Sequence, residues 1–146
     1  MTRVDFYILR DTAESACALF ACRLTEKAVK QGHQVYINAE SAAQLLQLDD
    51  LLWTFRAGSF LPHVVDIGED NGEDNGASPV LLAHDREPGN SHDVLVNLSN
   101  EVPTFFSRFN RVAELAGGND AQRSEARNRY RYYKDRGYTL HTHQIG

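Results

Sequence analysis

The sequence has only two cysteines among its 146 residues, and their placement excludes most cysteine chemistry. Cys17 and Cys22 stand at C-x4-C spacing, with no second pair to complete a zinc site. Five residues apart on a helix they face different sides, which does not suit a disulfide. They read as reduced, buried, small apolar residues, in keeping with a cytoplasmic protein. Long apolar runs are also missing. The longest, residues 16–22, falls far short of the roughly 18–20 residues that span a bilayer, so no membrane contact is expected, and no secretory signal is visible. Positive charge is in deficit: 15 Lys and Arg against 20 Asp and Glu leave a formal charge of −5. That balance argues against a surface built to wrap duplex DNA.

Phosphate-binding glycines are absent where an α/β chain would carry them. The first strand–helix turn, residues 9–13 (LRDTA), has no glycine, and Asp11 would repel a phosphate there. No G-x4-G-K-[ST] occurs. Catalytic constellations are equally scarce: there is no nucleophile elbow and no acidic turn of calcium-loop type, since Gly68 and Gly72 fall where oxygen ligands are needed. His141 and His143 have the spacing of a metal pair on a strand, but they sit in a polar C-terminal stretch that reads as partly frayed. No metal, cofactor or enzymatic activity is expected.

The length suits one domain, residues 1–146. Residues 4–9 (VDFYIL) read as a strand. Asp11 with Glu14 resembles a capping box, and Ala13, Ala16, Cys17, Phe20, Ala21, Leu24 and Ala28 recur at helical spacing up to Gly32. Residues 34–38 (QVYIN) form a second strand and 41–53 a leucine-rich helix. Residues 64–67 suggest a short strand, and 79–84 (PVLLAH) and 93–98 (DVLVNL) suggest buried ones. The repeat GEDNGEDNG at 68–76 reads as an exposed, mobile acidic loop. Pro103 opens a helical pattern through Phe105, Phe106 and Phe109. Residues 111–115 fit either more helix or a short strand. Asn119 or Asp120 caps a last helix running to about Arg136, Gly137 ends it, and 138–142 suggest a final strand. The order predicts an α/β fold of Rossmann-like, three-layer type, with a mostly parallel sheet and no nucleotide-binding loop.

The most informative stretch is 121–138 (AQRSEARNRYRYYKDRGY), which carries a net +4. Arg123, Arg127, Arg131 and Lys134 are spaced to share one helical face, with Tyr130, Tyr132, Tyr133 and Tyr138 interleaved. Three roles fit. The face can be a solvated flank, it can track single-stranded nucleic acid while tyrosines stack on bases, or it can hold the carboxylates of an acidic peptide. The acidity of the remaining chain favours the peptide.

Several segments together resemble the chi-subunit family of bacterial DNA polymerase III. They are FYIL at 6–9, LDDLLW at 48–53, SFLPH at 59–63, DVLVNLS at 93–99 and RNRYRYYKDRGYTL at 127–140. They occur in the family's order over nearly the whole chain. The resemblance implies a non-catalytic clamp-loader accessory subunit. It would grip the acidic, phenylalanine-ended C-terminal tail of single-stranded DNA-binding protein through Arg127, Tyr130 and Arg131, and the helical spacing adds Arg123 and Lys134 on the same face. Gly137, Tyr138 and Leu140 would form the edge of a pocket for the terminal ring. It further implies that Trp53, Phe60, Leu61 and Pro62 bind the psi subunit, which connects to the clamp loader, or a DNA-repair helicase at the same surface. The acidic repeat at 68–76 departs from the family pattern.

Overall fold

The computed structural model describes residues 2–13, 15–55, 61–66, 78–89 and 91–145. Among them are seven strands: β1 (Arg3–Leu9), β2 (Val35–Asn38), β3 (His63–Val65), β4 (Val80–Ala83), β5 (Val94–Asn97), β6 (Arg111–Ala116) and β7 (Leu140–Ile145). They form one all-parallel sheet in the order β3-β4-β2-β5-β6-β1-β7. The central strands are buried on both faces, which is why VYIN, VLLA and VLVN read as nearly unbroken apolar runs.

Two helices cover one face, α1 (Ala16–Lys30) and α2 (Ala42–Thr54). From α1 the small residues Ala18, Ala21, Cys22 and Thr25 face inward, which brings the helix close to the sheet. Leu45, Leu48 and Leu52 of α2 complete that core with Val35, Ile37, Leu82 and Val96. The other face carries α3 (Asp120–Asp135) and a 3-10 turn, Phe106–Arg108. Its core is aromatic: Phe6, Tyr36, Phe105, Phe106, Phe109 and Tyr133 pack together, mostly edge to face.

Several elements differ from the sequence expectation for local reasons. The first helix begins at Ala16, with Ser15 as N-cap and no side-chain cap bond. Asp11 instead turns the chain early, its carboxylate accepting the Ala13 N–H at 2.9 Å. The phenylalanine run after Pro103 yields one 3-10 turn, because Phe105, Phe106 and Phe109 are all buried in the aromatic core. Residues 111–116 are a strand flanked by β5 and β1. The last strand spans 140–145 rather than 138–142, and His143 is no part of a frayed end. Its Nε2 lies 2.9 Å from Asp5 Oδ1, and its ring stacks on Tyr7 at 4.8 Å. Among the described residues no group of His, Cys, Asp and Glu is arranged to hold a metal. Cys17 is half-buried, Cys22 is buried, and both are free. Burial pushes the Cys22 thiol up to about 12. No helix among the described residues is long and apolar enough to cross a membrane. The expectations for Ile67 and for the acidic loop at 68–76 fall outside the described residues.

Asp5 ties three strands together. Its side chain is 2% exposed and meets Arg3 at 3.2 Å, Arg111 of β6 at 3.3 Å and His143 of β7 at 2.9 Å. Burial alone would raise its pKa. The hydrogen bonds from His143 and Arg3 and the charges of Arg111 and Arg3 more than offset that and hold it below the ordinary value. A depressed folded-state pKa contributes stability at neutral pH that is lost as pH falls through it. Asp5→Asn should therefore destabilise the fold at pH 7, and its deficit relative to the parent should shrink below roughly pH 4. Urea unfolding of both chains between about pH 7 and about pH 3, which brackets the ordinary carboxylate range, checks this, and a deficit independent of pH contradicts it.

Candidate binding groove on the last helix

One buried carboxylate sets the position of α3. Glu114 stands on β6, fully buried, on the sheet face that α3 covers. Arg129 of α3 donates from Nε to Glu114 Oε1 at 2.9 Å, and Tyr133 donates its hydroxyl to Oε2 at 2.7 Å. Asn97 of β5 donates from Nδ2 at 2.9 and 3.1 Å. Arg129 also reaches the carbonyl of Leu115 at 3.0 Å. Strand register supplies this alignment: Asn38, Asn97 and Glu114 are successive partners across β2, β5 and β6, and Asn38 donates to Asn97 Oδ1 at 3.0 Å. Burial raises the Glu114 carboxyl above its usual range against the pull of Arg129, Tyr133 and Asn97. It likewise pushes the Tyr133 phenol up, assisted by the Glu114 charge.

Arg129 is therefore spent inside, and the +4 of the segment overstates its surface charge. With Arg129, Tyr133 and Ala126 on the buried side of α3, Arg123 and Arg127 stand exposed on one flank. There they border a groove of about 260 Å³. Phe6, Ile8, Ala116 and Ala126 give it apolar surface, Tyr130 lines it from α3, and Thr142 and Gln144 of β7 form the far wall. Tyr130 is steadied by an edge contact with Phe6 at 5.3 Å.

The remaining residues expected at this site are spread along the helix and beyond it. Arg131 and Lys134 are exposed and do not line the groove. Tyr138 packs on Phe106 at 5.1 Å, and Leu140 lies against the aromatic core. Gly137 adopts φ +82°, which only glycine takes up readily, and it ends α3. The groove residues that sequence reasoning missed are Phe6, Ile8, Ala116, Ala126, Thr142 and Gln144. Alternation along β1 could have paired Phe6 with Ile8; nothing local points to Thr142 or Gln144. Asn119 caps α3, accepting the Gln122 N–H at 2.8 Å. Gly118 lets the preceding loop cross the β1–α1 turn, since a Cβ there would stand 2.6 Å from the Asp11 carbonyl oxygen.

A second surface lies on α2, on the opposite face and beside the opposite edge strand, β3. Trp53 is 50% exposed and Leu46, seven residues earlier, is 69% exposed. The Trp53 ring rests on His63 at 4.5 Å, and His63 Nε2 meets Asp49 Oδ1 at 2.8 Å, so the indole is held in place. Leu61 is buried in the core and Pro62 is exposed. Phe60 lies outside the described residues.

The crevices at the carboxyl ends of the strands, where open parallel sheets hold nucleotides, carry the wrong charge for phosphate. The larger, about 390 Å³, is lined by Glu40, Asp85 and Glu101 with His84 and Asn38.

Comparison with known proteins is consistent across nearly the full length. The family profile described as DNA polymerase III chi subunit, HolC, matches residues 1–141. A protein of Pseudomonas aeruginosa named DNA polymerase III subunit chi is 43% identical over 145 residues, covering 99% of this chain and 98% of that one. A protein of the same name from Escherichia coli (strain K12) is 31% identical over 147 residues, covering 97% of each. The crystal structure of T4 UvsW superposes with a TM-score of 0.75 at 9% identity, over 99% of this chain and 41% of that one, and shares the fold alone.

Removing one member of the buried ion pair leaves the other charge without compensation. Glu114→Gln should cost about 3–5 kcal/mol of unfolding free energy, whereas Glu114→Leu with Arg129→Met should recover most of that loss. Equilibrium denaturation of the two variants measures both, and a single-variant cost below about 1 kcal/mol would contradict the role given to the pair.

Proposed function

The chain belongs to the DNA polymerase III chi subunit family, and we propose that its α3 groove captures the acidic, phenylalanine-ended C-terminal tail of single-stranded DNA-binding protein. The observation that carries this reading is the groove itself: two exposed arginines, Arg123 and Arg127, beside an apolar trough of about 260 Å³. Guanidinium groups bind carboxylates through paired, charge-assisted hydrogen bonds. The trough between Phe6, Ala116 and Ala126 has room for one aromatic ring, so a single short peptide satisfies both features. No step of catalysis is assigned; the role is that of a receptor.

The tyrosines weigh against direct binding of single-stranded nucleic acid. Stacking on bases needs free ring faces. Tyr133 is buried, Tyr130 leans on Phe6, and Arg136 already covers the Tyr132 ring at 3.4 Å.

The Trp53 surface is assigned to the second partner, the psi subunit, with a DNA-repair helicase as the other candidate for the same place. A half-exposed indole fixed by His63 next to an exposed leucine suits an apolar anchor of a partner chain. Its position on the other face and at the other edge of the sheet lets both partners bind at once. The chain then acts as an adaptor between single-stranded DNA-binding protein and the replicase.

The test is titration of a short acidic peptide ending in Phe, followed by calorimetry. Binding should be about micromolar and should weaken with added salt. Arg123→Glu with Arg127→Glu should abolish it, Arg131→Glu should weaken it less, and Trp53→Ala should leave it unchanged. Undiminished binding by the Arg123/Arg127 double variant would overturn the site. Binding of an unstructured oligonucleotide at physiological salt with similar affinity would favour the nucleic-acid reading.

A further inference from the structure

On the sheet face opposite the α3 groove, at the amino ends of β1, β5 and β6, lies a cavity of about 240 Å³. Strand alternation separates the two sites: Phe6 and Ile8 of β1 line the groove, whereas Asp5 and Tyr7 line this cavity. Its floor is apolar, made by Val94, Val96 and Ala113 of the sheet with Leu24 and Ala28 of α1.

Its rim is basic. Lys27 of α1 is exposed and has no ion-pair partner among the described residues. Arg111 binds Asp5 through Nε and Nη2, which leaves Nη1 over. The acidic groups nearby are already compensated. Asp5 lies between the Arg3 and Arg111 guanidinium groups, and Asp93 is held by hydrogen bonds to the His33 ring at 3.1 Å and from the Gln34 N–H at 3.0 Å. At the end of α1 the carbonyls of Lys27, Ala28 and Val29 are already occupied, accepting N–H groups from Gln31, His33 and Gly32. The cavity thus joins an apolar floor to an excess of positive charge.

We propose that this cavity binds a small amphipathic carboxylate, with Lys27 and Arg111 holding the carboxylate and the valine floor holding the body. The volume is below the roughly 300–1,000 Å³ of sites for drug-sized ligands, so the ligand is a free acid with one ring or a short chain. A nucleotide does not fit this description, since the cavity lies at the end of the sheet away from the usual phosphate site.

The probe is sodium 3-phenylpropionate, titrated into the isotope-labelled full chain at constant ionic strength and followed by amide NMR. Saturable shifts are expected at Ala28, Val96 and Ala113, with a dissociation constant in the low millimolar range. Lys27→Glu, at an exposed helix position that leaves the fold intact, should weaken binding about tenfold, the effect of one lost charged contact. The neutral 3-phenylpropanamide should bind several-fold more weakly than the acid. Arg127→Glu, or saturation of the α3 groove with the acidic peptide, should leave the cavity shifts unchanged. Absence of saturable shifts at these three residues, or insensitivity to Lys27→Glu, or equal binding of the amide, would each overturn the proposal.

Discussion

Placing a carboxylate in the interior is the constraint from which much of this structure follows. Glu114 on β6 is without solvent, and a buried charge is tolerated only when it is paired and hydrogen-bonded. Arg129 and Tyr133, four residues apart on α3, supply that pairing, and Asn97 supplies it from β5. Satisfying one carboxylate thereby selects the helix face that turns inward. Once Arg129 and Tyr133 point to the sheet, the helical repeat sends Arg123 and Arg127 to the flank beside β7. The exposed arginines owe their position to a buried one.

The sheet order sets the two candidate surfaces apart. β7 and β3 are its edges, and α3 and α2 lie on different faces. The groove sits between α3 and β7, the Trp53 surface beside β3. For the adaptor role proposed above, this separation would keep the two partners from colliding without a second domain. Asp5 strengthens the arrangement from the far face, because its bond to His143 fastens the edge strand that walls the groove.

Much of the architecture was legible before the coordinates. Unbroken apolar runs such as VLVN and VLLA mark strands buried on both faces. The helix at 120–135 and its stop at Gly137 follow from spacing and turn chemistry. What could not be read is where tertiary contacts override local pattern. The phenylalanines after Pro103 have helical spacing, yet the aromatic core draws them into a 3-10 turn. Nothing local in RVAELA marks Glu114 as buried, and nothing in 121–138 separates Arg129 from the other bases as the one that turns inward. Their partnership joins positions 15 residues apart through a helix that local spacing does not orient. Thr142 and Gln144 enter the groove only because the last strand pairs with the first.

The central claim is that the flank of α3, positioned by the Glu114–Arg129 pair, is where an acidic tail docks. The most direct measurement is amide and side-chain NMR mapping of the labelled chain with the acidic peptide ending in Phe. The account predicts shifts at Ala116, Ala126, Tyr130, Thr142 and Gln144, with the Trp53 indole unmoved. Shifts centred on Trp53 or on the cavity beneath α1, with the groove unaffected, would contradict it.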